Sequence, residues 1–224
     1  VPSIGGGAYA PSINDTEEAF DIMLRAIEKA GFSNKILLGL DVAGSELYNE
    51  KNSRYKIKGG EITADELIEY YRDLARQYPL VFIEDPFHED DFESSSRLTS
   101  ALPKIQIVGD DLFVTNPTRI KQGIEKKACN TILLKVNQIG TLSEACDAAS
   151  LATRNNYAIT VSMRSSDTND SFIADLSVGL GAWQIKLGSP VSGERNAKYN
   201  RLLEIEQELG PEAKFAGKNY LNNS

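Results

Sequence analysis

Residues 80–111 read LVFIEDPFHEDDFESSSRLTSALPKIQIVGDD, and this stretch decides the fold. Two short apolar runs, Leu80–Glu84 and Ile105–Asp110, each end on an acid and are separated by a helical pattern. A brief apolar run bounded by polar residues is what a strand buried on both faces looks like, and strand–helix–strand is the repeating unit of a parallel sheet. The same run recurs on either side, at Lys35–Asp41 (KILLGLD), Thr131–Lys135, Tyr157–Ser162 and Trp183–Lys186. From Leu80 onward the starts fall about 25 residues apart, near positions 80, 105, 131, 158 and 183, while the first interval, from 36 to 80, is longer. Such regularity favours a (β/α) barrel over an open doubly wound sheet, although periodicity alone leaves the second open. Six strands are countable, and a closed barrel needs eight. Either two strands precede Val1 or the sheet is not closed.

Helices fill the intervals. Thr16–Ala30 places Ala19, Phe20, Ile22, Met23, Ala26 and Ile27 on one face, with Asn14 or Asp15 as cap and Gly31 as stop. Thr63 and Glu66 form a capping box for a helix running to about Tyr78, where Pro79 ends it. Composition agrees with one folded domain: 224 residues, 41% hydrophobic, 25% charged. The net charge is -8 and no basic cluster exceeds Lys126-Lys127, so no nucleic-acid footprint is present. No apolar run reaches the roughly 18 residues of a membrane span, and VPSIGGGAYAP lacks the blocks of a signal peptide, so the chain reads as cytoplasmic. Cys129 and Cys146 are too few for a disulfide framework or a zinc site and read as reduced packing residues.

In a (β/α) barrel the active site is assembled at the C-terminal ends of the strands. Read in order, those positions are Asp41, Glu84, Asp110, Lys135, the segment Ser162-Met163-Arg164-Ser165, and Lys186. Any one acid here could simply cap the next helix, and Lys186 alone could be a solvated strand end. Their ordering, three acids and then two lysines on separate strands, is what the bland reading explains badly. Clustered carboxylates repel one another, and a hard divalent cation such as magnesium relieves that by taking oxygen ligands. Asp85 and Asp111 stand beside two of these acids as alternative ligands or caps. A lysine near such a centre is suited to removing a proton.

Six motifs extend these positions: GLDVAGSE around Asp41, FIEDPF around Glu84, IVGDDL around Asp110, LLKVNQIGT around Lys135, VSMRSSDTNDSFIADLSVGL around Arg164, and QIKLGSP with GERNAKYNRLLEIEQELG around Lys186. Together they resemble the enolase (phosphopyruvate hydratase) family, from about residue 4 to the tail KFAGKNY. The resemblance implies a (β/α)8 TIM-type barrel of the enolase superfamily, of which residues 1–224 are a partial C-terminal domain. The first strands and the N-terminal α+β domain would then lie outside this sequence. It also implies that Asp41, Glu84 and Asp110 ligate magnesium, and that Lys135 takes the carbon-2 proton of 2-phosphoglycerate. Arg164 and Ser165 would contact the substrate phosphate, and Lys186 would sit near the substrate carboxylate. Sites of this superfamily pair a lysine or histidine base with one or two magnesium ions. By the same resemblance the full-length protein would form a homodimer.

Two departures fall in the implied site. The family loop GDEGGFAP is here IGGGAYAP, which puts Gly5 and Gly6 where two acids stand; glycine has no proton to give. The family's VSHRS is here VSMRS, so Met163 replaces a histidine by a thioether that hardly hydrogen-bonds. The one histidine, His88, reads as a surface residue of the turn FHEDD. Asp167 and Ser166 stand where glutamate and glycine are usual, a change of loop shape. The expectation is an enolase-like protein that binds magnesium and keeps the base, with weak or no turnover of 2-phosphoglycerate to phosphoenolpyruvate and a structural role such as a cytoskeletal or flagellar assembly. The alternative is an active enolase whose acid comes from elsewhere.

Overall fold

A computed structural model of the chain describes residues 3–4, 8–9, 11–13 and 15–217. Two compact units are present, one made of Ser12–Leu112 with Gly123–Asn130, the other of Val1–Pro11, Phe113–Gln122 and Thr131–Ser224. In the second of these, Ser3–Ile4 (β1) and Ala8–Tyr9 (β2) pair antiparallel.

The unit centred on residues 12–112 opens with α1 (Thr16–Lys29). Asp15 is its cap, its carboxylate accepting the N–H of Glu18 at 2.8 Å. Only Phe20 of the expected apolar face is buried, edge-on to Tyr78 with ring centroids 5.1 Å apart, while Ile22 and Met23 stay exposed. Then come β3 (Leu38–Asp41), α2 (Gly44–Leu47), β4 (Tyr48–Asn49), β5 (Arg54–Ile57), β6 (Gly60–Ile62), α3 (Ala64–Gln77), β7 (Leu80–Glu84), α4 (Phe92–Ala101) and β8 (Gln106–Gly109). β3, β7 and β8 run parallel, with β7 in the middle. The small antiparallel sheet β4-β5-β6 accounts for the long first interval in the strand spacing.

The capping box of α3 is formed as read: the Glu66 N–H donates to Thr63 Oγ1 and the Thr63 N–H to Glu66 Oε2. Leu67, Ile68, Tyr71 and Leu74 are its buried face, each contributing about 1.5–3 kcal/mol. β3 differs from expectation. Leu38 is buried, but Gly39 and Asp41 are exposed, because among the described residues β3 pairs on one side only, with β7.

The other unit carries β9 (Thr131–Leu134), α6 (Val136–Ile139), α7 (Leu142–Arg154), β10 (Ala158–Ser162), α8 (Phe172–Gly179), β11 (Gln184–Lys186) and α9 (Gly193–Leu209), preceded by α5 (Pro117–Lys126), whose last turn belongs to the first unit. β9, β10 and β11 are parallel, in that order. Every residue of β9 and β10 is buried, as the unbroken apolar runs require. α7 lies against both strands and buries Ala145, Ala148, Ala149 and Ala152, small residues that allow close packing on the sheet.

Candidate functional site

In the first unit the acids stand at one edge of the parallel strands. Register pairs Asp41 with Glu84 and Glu84 with Val108, and Asp110 follows directly after β8. Glu84 is 1% exposed, Asp85 6% and Asp110 8%. Each of these three offers a carboxylate oxygen, and those oxygens lie within 4.8 Å of one another. Such a buried, all-oxygen donor set suits a hard divalent cation.

Asp85 was foreseen only as an alternative to Glu84, yet it joins the trio, whereas Asp41 is exposed and lies outside that close group. The reason is backbone shape. Asp85 takes a left-handed conformation, φ 42°, which turns its carboxylate toward the loop after β8. There its two oxygens accept the N–H groups of Asp110 at 3.0 Å and Asp111 at 2.9 Å. Burial pushes the Asp85 carboxyl up to about 7, opposed by the Asp111 N–H and reinforced by the charges of Asp110 and Asp111. A cation among these oxygens would favour the ionised form.

The loop beyond Asp85 is held by its neighbours. Val42 and Gly44 donate their N–H groups to the carbonyls of Glu84 and Asp85, at 3.0 and 2.9 Å. Gly44 must be glycine, since a Cβ there would stand 2.6 Å from the Phe87 carbonyl carbon. The Tyr71 hydroxyl donates to the Pro86 carbonyl at 2.8 Å. His88, expected at the surface, is half-buried with its ring 4.8 Å from that of Tyr48, and its N–H donates to the Tyr55 hydroxyl.

The second unit holds the basic positions. Register matches Val161 with Leu134 and Ser162 with Lys186, so Lys135, Met163 and Leu187 follow β9, β10 and β11 at one sheet edge. Lys135 is 8% exposed and Met163 5%, Lys186 is half-buried, and Arg164 and Ser165 are exposed. Two supports escaped the sequence reading. Thr115 is fully buried, and its hydroxyl accepts the Lys135 N–H at 2.9 Å and donates toward the Leu133 carbonyl at 3.3 Å. Ser162 Oγ donates to the Lys186 carbonyl at 3.0 Å. A lone threonine in the loop LFVTNP carries no signal by which sequence alone would single it out. Gly6 lies outside the described residues.

Residues 3–224 match the family model described as the enolase C-terminal TIM barrel domain. The chain belongs to that enolase family. It is 54% identical to an enolase of Methanocaldococcus jannaschii over 214 residues, covering 96% of this chain and 50% of that protein. It is 53% identical to an enolase of Pyrococcus furiosus, covering 96% and 50%, and 53% identical to one of Methanopyrus kandleri, covering 95% and 51%. The chain therefore spans about half the length of the curated enolases it matches. The barrel reading of the strand spacing is the family's fold. Among the described residues no helix is long and apolar enough to cross a membrane.

Proposed function

We propose that this protein keeps the cation-binding and proton-abstracting half of the enolase reaction and is impaired in the dehydrating half. The observation that carries the first part is the buried carboxylate trio of Glu84, Asp85 and Asp110. Glu84, Asp110 and, by the family pattern, Asp41 would hold magnesium, with Asp85 fixing the loop on which Asp110 stands. When bound, the cation supplies positive charge against the negative charge that builds on a substrate carboxylate as its α-proton leaves. Lys135 takes the carbon-2 proton, its backbone fixed by Thr115. Arg164 suits the phosphate, because a guanidinium can bind it through two parallel hydrogen bonds, and Ser165 adds a hydroxyl. Lys186 neutralises the substrate carboxylate.

Loss of the carbon-3 hydroxide needs a proton, and neither Gly6 nor Met163 can give one. General acid catalysis is worth about 10² to 10⁴ in rate, so net dehydration should fall by that order. We further expect a cytoplasmic, homodimeric full-length protein in which residues 1–224 form part of one barrel domain. An active enolase is the second reading, favoured by the 54% identity to a protein named as one. Steady-state assay of full-length protein with magnesium and 2-phosphoglycerate separates the two. Turnover near the common enzyme value of ~10 s⁻¹ supports the active enzyme, and turnover lower by at least about 10² supports the impaired one. A structural role in a cytoskeletal or flagellar assembly would gain support only from the latter result.

A further inference from the structure

Helix α9 buries two cations where a packing helix would place leucine or methionine. Lys198 is wholly buried and Arg195 is 8% exposed. The Arg195 guanidinium donates through Nη1 to the Leu187 carbonyl at 2.9 Å and through Nη2 to the Ser165 carbonyl at 3.0 Å. Lys198 Nζ donates to the Thr168 carbonyl at 2.5 Å and lies 3.5 Å from an Asp167 carboxylate oxygen. The Tyr199 hydroxyl donates to the Gly188 carbonyl at 2.6 Å. Gly188 has φ +77°, and a Cβ added to it would meet Arg195 Nη1 at 2.6 Å, so the guanidinium packs directly on that glycine.

Taking two charges out of water is costly, and well-packed apolar residues often give equal or greater stability. What Arg195 and Lys198 obtain is three main-chain carbonyls from two loops, with a fourth taken by Tyr199. One follows β10 and carries Arg164 and Ser165; the other follows Lys186 at the end of β11. Bonds to carbonyls fix the path of the backbone itself. A single guanidinium reaching both loops also fixes one against the other, which an ammonium with its compact charge does less well.

We propose that Arg195, assisted by Lys198 and Tyr199, is a positioning clamp that locks the Arg164–Ser165 segment to the Lys186–Gly188 segment, so that both meet a phosphorylated carboxylate together. The proposal rests on the functional reading above. None of the three residues touches the ligand. Their effect is carried by the two loops.

The test combines calorimetry of 2-phosphoglycerate binding at saturating magnesium with hydrogen exchange of peptides covering residues 163–170 and 186–190. Arg195→Met and Gly188→Ala should weaken 2-phosphoglycerate about ten- to a hundredfold, with magnesium binding measured alone unchanged within about twofold. Both peptides should exchange faster together. Arg195→Lys should recover the melting temperature but not the ligand affinity, a split that a merely structural role would not produce. Tyr199→Phe, which removes one hydrogen bond and little packing, should speed exchange at 186–190 and keeps the test open should Arg195→Met not fold. Parent-like affinity in Arg195→Met, or faster exchange in one loop only, overturns the clamp. If the parent itself fails to bind 2-phosphoglycerate, the functional reading falls instead; coupled faster exchange then still upholds the clamp between the loops, and its absence overturns it.

Discussion

Met163 occupies a buried position at the end of β10, next to Arg164, where its thioether offers almost no hydrogen bonding. On the proposed function, Met163 and Gly6 are the two residues that limit dehydration. Installing both Gly6→Glu and Met163→His in the full-length protein should raise phosphoenolpyruvate formation by about 10² or more, read in a steady-state assay. No gain would favour an acid supplied elsewhere. Asp85 makes a second prediction. Asp85→Asn keeps the size of the side chain and one acceptor for the N–H groups of Asp110 and Asp111, while removing a carboxylate that burial disfavours. Urea unfolding of the magnesium-free protein should shift by less than about 1 kcal/mol. Magnesium affinity should fall about tenfold or more, since a single amide oxygen no longer holds both N–H groups of the loop on which Asp110 stands.

Two elements show how local chemistry holds the site edge. Gly44 begins α2 with its backbone against Phe87, so Gly44→Ala must push the post-β7 loop outward. The strain should cost about 1–3 kcal/mol in urea unfolding and weaken magnesium binding in parallel, because that loop carries Asp85. Thr63→Ala removes the capping box of α3, whose hydrogen bonds run between Thr63 and Glu66. About 1 kcal/mol of stability should go, with magnesium affinity retained. At this scale the six parallel strands and the α3 cap were readable, because apolar runs and a Thr-x-x-Glu spacing are strong local signals. The sheet β4-β5-β6 was not. Its strands, such as RYKI and GEI, are short, polar and partly exposed, so they give no apolar run to read. The α1 face was over-read, since its spacing promised more burial than Phe20 alone supplies.

In each unit the strand-end rule marked positions legible from the sequence, Glu84 and Asp110 in one and Lys135 and Lys186 in the other, because parallel strands bring their C-terminal ends to one edge. Burial and backbone sign were not readable: the left-handed turn at Asp85 and the buried Thr115 depend on tertiary packing. If Glu84 and Asp110, with Asp41, bind magnesium only in the folded chain, the ion must stabilise the fold. At a hundredfold excess over Kd the gain is about 2.7 kcal/mol, seen as a rise in melting temperature that a Glu84→Gln, Asp110→Asn double variant should lose. The central claim, that proton abstraction survives while dehydration is impaired, is tested most directly by isotope exchange. Full-length protein, magnesium and 2-phosphoglycerate deuterated at carbon 2 are incubated in ordinary water, and loss of the label is compared with phosphoenolpyruvate formed. Washout should run at least about 10² faster than product formation. Equal rates, or no washout at all, would contradict it.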